Sequence, residues 1–263
     1  MSPHFRSSLR FWLLTLAALV AVAVTSSLGR WQLSRAAQKE ALQARMGQQA
    51  RLPTLVAGDV LAVKGQAGMP MQGGEDHLLD RNLALSGQWM PEHTLLLDNR
   101  PMNGKQGFYI LTPLKEAVTG QVVMVQRGWV QRDFNDRERV QPFDTPAGTV
   151  QVTGRIARGP SQTLVLSATG TPDGGAPTAG GAARIRQNLN LGEFRVESRL
   201  PLWDHLLLQT DPVADGLQRD WPAPSAGVDK HYGYAFQWFG LSGLIAVLYV
   251  WFQLVPRFRR AAA

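Results

Sequence analysis

The side chains able to do metal or acid–base chemistry are few in this chain: five histidines (His4, His77, His93, His205 and His231) and no cysteine among 263 residues. Without thiolates there are no Cys-bound zinc sites, iron–sulfur clusters, disulfides or Cys nucleophiles. No two histidines stand four apart, as a helical zinc motif requires. There is no G-x-S-x-G elbow, no Walker loop and no strand-linked G-x-G-x-x-G. A metal site from distant loops, or a membrane-anchored hydrolase using scattered Ser, His and Asp, would have to be assembled by the fold. No local motif supports either.

Two features stand out instead. His231 heads the run HYGYAFQWFGLSGLIAVLYVWFQLV, which carries no charge before Arg257. Arginine also stands beside glycine and aromatics: Asp98-Asn99-Arg100 ends one extended stretch, and Arg127-Gly128-Trp129 lies in another. Such arginines either pair with carboxylates while the tryptophan packs, or they offer a rigid face to a partner protein, since Trp and Arg are enriched at binding hot spots.

The elements that must position these residues begin with two apolar runs. Phe11 to Leu28 is free of charge; at about 1.5 Å per residue it reaches about 27 Å, close to the roughly 30 Å of membrane hydrocarbon. A cleaved signal peptide with Ala21-Val22-Ala23 as its site is the alternative. The apolar pattern passes that site and continues as a helical extension over 29–50, which favours an uncleaved anchor. The second span covers 234–255, with Tyr234, Trp238, Tyr249 and Trp251 placed for interfacial belts. Ala17, Ala21, Thr25 and Gly29 form a small-residue stripe on the first helix, and Gly240 and Gly243 mark a narrow place on the second, so the two spans are expected to pack closely.

Between them, 51–229 reads as short strands broken by turns: 81–89, 93–100, 107–114, 121–130, 149–157, 183–191 and 205–211, with Asn103-Gly104 as a hairpin signal. That spacing predicts a mostly antiparallel sheet curled into a barrel or sandwich. Residues 168–183, rich in Gly, Ala, Pro and Thr, predict a flexible loop. The fold class is therefore a membrane protein of α+β type: two transmembrane helices flanking a β-rich extracytoplasmic domain.

The formal net charge of +7 sits mostly at the ends. Arg6, Arg10, Arg257, Arg259 and Arg260 flank the spans, and no Asp or Glu lies in 1–10 or 256–263. This distribution suits anionic lipid rather than nucleic acid, for which there is no basic face. It also puts both termini in the cytoplasm and the central domain across the membrane.

Four motifs in order carry a resemblance to a known family. They are LGRWQLSRAAQKEAL (Leu28, Gly29, Trp31, Gln32, Leu33, Arg35, Lys39), DNRPMNGKQGFYILTPL (Arg100, Gly107, Tyr109, Thr112, Pro113, Leu114), VQRGWV (Arg127, Gly128, Trp129) with the later Gly154, and HYGYAFQWF (His231, Tyr234, Ala235, Trp238, Phe239). With a span at each end, this pattern resembles the Surfeit-locus-one family of membrane proteins that assist cytochrome c oxidase assembly. It departs at Gln126, where the family usually has asparagine, and at Asp229 and Lys230.

The resemblance implies an assembly factor, not an enzyme, in the bacterial cytoplasmic (inner) membrane with its domain in the periplasm. Its partners would be the oxidase catalytic subunit, other oxidase assembly factors and membrane lipid. It would help haem a reach that subunit, with His231 as the proposed ligand. Neutral imidazole suits that part. On a helix, His231, Tyr234, Trp238, Ser242 and Ile245 would fall near one face, giving a ligand and an aromatic wall (Tyr234, Trp238). Arg30, Arg35 or Lys230 would meet the propionates. Trp31, Arg35, Arg100, Arg127, Gly128 and Trp129 would serve the domain or a partner. The alternatives are a haem-free scaffold that stabilises the apo oxidase subunit, with His231 as an interfacial anchor or hydrogen-bonded to the domain above it.

Overall fold

Helix α1 runs without a break from Pro3 to Ala50, and Pro53 discourages its continuation because the residue before a proline avoids helical geometry. The computed structural model describes residues 3–61, 75–133, 140–162, 184–222 and 227–261, so the loop expected over 168–183 lies outside the described residues. Its contacts divide the chain into two units, one of 1–45 with 223–263 and one of 46–222.

In the first unit α1 is joined by α4 (Val228–Tyr249) and α5 (Val255–Ala261). Both α1 and the α4–α5 stretch contain windows long and apolar enough to cross a membrane. Between α4 and α5 the backbone loosens to a π-helical turn over Val250–Leu254, and the Val255 amide reaches Val250 O. Pro256 explains it: it has no amide for the carbonyl four residues back, and its ring would collide there.

The two long helices meet antiparallel along seams spaced alternately three and four residues. On α1 the sheltered positions are Phe11, Thr15, Ala18, Val22, Thr25, Gly29, Gln32, Ala36 and Lys39; on α4 they are Val228, His231, Ala235, Trp238, Ser242, Ile245 and Tyr249. This is the 3.5-residue repeat of paired helices. Polar groups tie the seams: Ser26 Oγ lies 2.9 Å from Ser242 Oγ, and Thr15 Oγ1 2.8 Å from Tyr249 OH. The small-residue expectation holds at Thr25 and Gly29, whose absent Cβ would stand 2.8 Å from the Phe239 ring. It fails at Ala17, which is exposed, and at Gly240 and Gly243, which face nothing within 4 Å. Close approach on α4 falls at Ala235 and Ser242.

In the second unit the strands are β1 (Leu55–Val56), β2 (Asn82–Trp89), β3 (Leu95–Met102), β4 (Lys105–Glu116), β5 (Val122–Gln131), β6 (Thr149–Ala157), β7 (Arg184–Arg186) and β8 (Leu202–Gln209), with short helices α2 (Ala57–Val60) and α3 (Leu191–Ser198). The sheet order is β1-β2-β6-β8-β5-β4-β3-β7, and a further pairing of β2 with β4 closes β2, β6, β8, β5 and β4 into a barrel. β4 is long enough to share one edge: its first half pairs with β3 and its last residues with β2. One apolar cluster draws on all five ring strands, including Leu83, Leu114, Val125, Val152 and Leu207, and fills the barrel with help from α2. A second cluster, with Leu97, Met124, Trp129 and Leu206, lies under α3.

Asn103 (φ 50°) and Gly104 (φ 76°) make the expected two-residue hairpin between β3 and β4. The sheet is mostly antiparallel, but β5–β8, β3–β7 and β1–β2 are parallel. The strand expected over 183–191 stops at Arg186. Asn190 Oδ1 instead accepts from the amides of Gly192 and Glu193 and starts α3.

Candidate functional site

His231 occupies the first turn of α4, whose start is set by Gly227 in the left-handed region (φ 85°). Its ring is half-buried, and its Nδ1 lies 2.7 Å from Gln32 Oε1 on α1. An amide carbonyl oxygen can only accept, so in the neutral ring this contact puts the proton on Nδ1 and leaves Nε2 its lone pair. Nε2 makes no hydrogen bond among the described residues. Trp238 lies two turns further on the same seam, half-buried. Beside the pair, the Tyr232 hydroxyl donates to Glu40 Oε1 (2.9 Å).

Tyr234 does not join them. It is 52% exposed, because the 3.5-residue seam that holds His231 and Trp238 passes through Ala235, which is buried. Trp31 is 51% exposed, with the exposed Arg35 guanidinium 5.7 Å over its ring and Arg35 Nη1 donating to Gln38 Oε1. Arg30 and Lys230 are exposed too. Gln32, which sequence reading placed only within a motif, is the partner that mattered. Its signal was its place on the heptad from Thr25 through Gly29 to Ala36. Among the described residues, no group of three or more His, Asp or Glu could hold a metal ion. What this end of α4 offers is one imidazole nitrogen, the kind of single donor that a haem iron accepts.

The remaining sequence-selected residues lie inside the barrel unit. Arg127 is the extra residue of a bulge, since Ile110 pairs with Gly128 and Leu111 with Gln126. Its side chain is 1% exposed and faces Asp215 (3.4 Å), donates to Thr145 Oγ1 (2.7 Å) and stacks 4.7 Å over Trp89. Arg219 reaches the same Asp215 oxygen at 2.6 Å. Burial holds the Arg127 pKa below its ordinary value, and Asp215 offsets only part of that. Trp129 is buried, and its Nε1 donates to Arg100 O at 2.7 Å. Arg100, also buried, donates to Gln187 O (2.6 Å) and lies over the Tyr109 ring. At Gly128 a Cβ would come within 2.5 Å of Leu217 Cβ, and at Gly107 within 2.4 Å of the Trp129 ring. These side chains pack and bond within the unit rather than lying open to a partner.

A cavity of about 330 Å³ brings Ser198, His93, Glu92 and Glu197 together. Its members are engaged otherwise than in a Ser–His relay: Ser198 Oγ donates to Phe194 O (2.7 Å), and Glu197 takes Arg186 in a two-pronged pair.

A sequence model of the SURF1 family matches residues 19–243. A SURF1-like protein of Rickettsia conorii is 24% identical over 237 residues, covering 88% of this chain and 87% of that one. Shorter matches are to SURF1-like proteins of Rickettsia felis (28% over 127 residues, 48% of each chain) and Monosiga brevicollis (28% over 165 residues, 57% of each). The aligned part thus spans about half the length of those two relatives. Matched from within α1 to within α4, this chain belongs to the SURF1 family.

Proposed function

We propose that this chain assists assembly of cytochrome c oxidase by holding haem a for the oxidase catalytic subunit, with His231 as the protein ligand. The SURF1 family is known generally as one of oxidase assembly factors, which supports the first part. The single observation that carries the second is the His231–Gln32 pair, which leaves Nε2 with a lone pair on a half-exposed ring at the head of an apolar helix. When bound, haem a would supply an iron able to take an imidazole nitrogen. His231 would hold it, Trp238 would wall one side, and the exposed Arg30, Arg35 and Lys230, near in sequence, would meet the propionates. In this reading α1 and the α4–α5 stretch span the bacterial cytoplasmic membrane, the barrel unit is periplasmic, and no residue is catalytic. Oxidase subunits, other assembly factors and lipid are the partners.

The test is an absorption spectrum of the detergent-purified full chain from a host that makes haem A, beside His231→Ala at equal yield. A haem spectrum in the wild type, lost or shifted in the variant, is expected. A colourless wild type that stays colourless when haem a is added would leave the second reading, a scaffold that stabilises the apo subunit. That reading also has an observation in its favour: a polar pair on a helix seam can act simply to set register.

A further inference from the structure

We infer that Gln32 is a positioning residue for the haem ligand, holding His231 in the Nδ1–H tautomer so that Nε2 is the donor atom; this rests on the haem reading above. Free neutral histidine prefers its proton on Nε2, the arrangement that removes the exposed nitrogen's lone pair. The 2.7 Å contact from Nδ1 to Gln32 Oε1 reverses that preference.

Both side chains are half-buried on the helix seam. Gln32 sits on the α1 seam between Gly29 and Ala36, and His231 on the α4 seam between Val228 and Ala235, all four of them buried. Metal-bound histidines commonly donate their other N–H to an acceptor that orients the ring and sets its basicity. A carboxylate there would push the ring toward imidazolate and tighten its hold on iron. An amide carbonyl aims the ring with less push, leaving a neutral imidazole. Weaker holding suits a protein that must give its haem up.

The experiment uses the full-length chain in detergent with ¹⁵N-labelled histidine, the His231 signals being assigned by their absence in His231→Ala. The apo wild type is expected to carry its proton on Nδ1. In Gln32→Leu the proton should move to Nε2, and haem a affinity should fall about 10–100-fold, the usual cost of losing such a partner. Gln32→Glu should restore the Nδ1–H signal and hold haem a at least as tightly as the wild type, with a lower haem midpoint potential. Circular dichroism checks that the leucine variant keeps its helices. A wild type protonated on Nε2, or a Gln32→Leu that binds haem a as well as the wild type, overturns the inference. A wild type with the Nδ1–H tautomer that takes up no haem a overturns the haem reading, and with it the ligand half of this one, while the tautomer lock itself stands.

Discussion

Glu116 closes β4 with its carboxylate turned back on the following turn. Oε2 accepts from the amides of Val118 (3.0 Å) and Thr119 (2.6 Å) and from the Thr119 hydroxyl (2.7 Å). Burial works to raise its pKa, but hydrogen bonds from Thr119, Val118 and Ala117 outweigh it and hold the group below the usual carboxylate range. A carboxylate depressed in the folded state stabilises that state above its unfolded pKa, and the contribution is lost as pH falls through the folded value. Glu116→Gln should therefore lower stability by about 1–3 kcal/mol at neutral pH. The gap from the wild type should close as pH drops below about 4, read by chemical unfolding at several pH values. A gap that is constant with pH would contradict the ionised role. This residue was silent in the sequence, as was Asp215, because an acid's partner depends on the fold. Arg127 finds Asp215 across a sequence separation of 88.

At the scale of elements, the α1–α4 seam predicts its own chemical test. The chain has no native cysteine, and Ser26 and Ser242 place their Oγ atoms 2.9 Å apart. Ser26→Cys with Ser242→Cys should form an intramolecular disulfide under mild oxidant, seen as a mobility shift reversed by reductant. Ser26→Cys with Gly240→Cys should not, because Gly240 faces nothing within 4 Å. Equal cross-linking of both pairs would sink the seam. Both long helices and the strands β2 to β6 were legible, since residues two to four apart carry their periodicity. The helix α3 was not. Its signal is one side chain, Asn190, whose capping bonds compete with an alternating pattern that runs on as far as Leu191.

For the whole molecule, the proposed orientation has a direct readout. Val118, 83% exposed on the barrel unit, becomes a lone reporter as Val118→Cys; a membrane-impermeant maleimide should label it in intact spheroplasts. Arg259→Cys, also on an exposed position, should be labelled only after lysis. The reverse pattern would invert the topology and move the His231 end of α4 to the other side of the membrane. Labelling of both in intact cells would argue against two spans.

By itself the sequence determined which stretches are apolar helices, where hairpins turn, and a four-motif pattern that the family match over residues 19–243 agrees with. These are local properties, written in spacing and in turn residues such as Asn103-Gly104. Only the tertiary structure decided the rest: that β2 meets β4 to close the barrel, that Ala235 rather than Tyr234 shares the seam with His231, and that Gln32, distant by 199 positions, engages Nδ1. Each depends on register between segments far apart in the chain. A shift of one residue on a helix moves a side chain by about 100°, so the choice between neighbours such as Tyr234 and Ala235 is made by packing, not by composition.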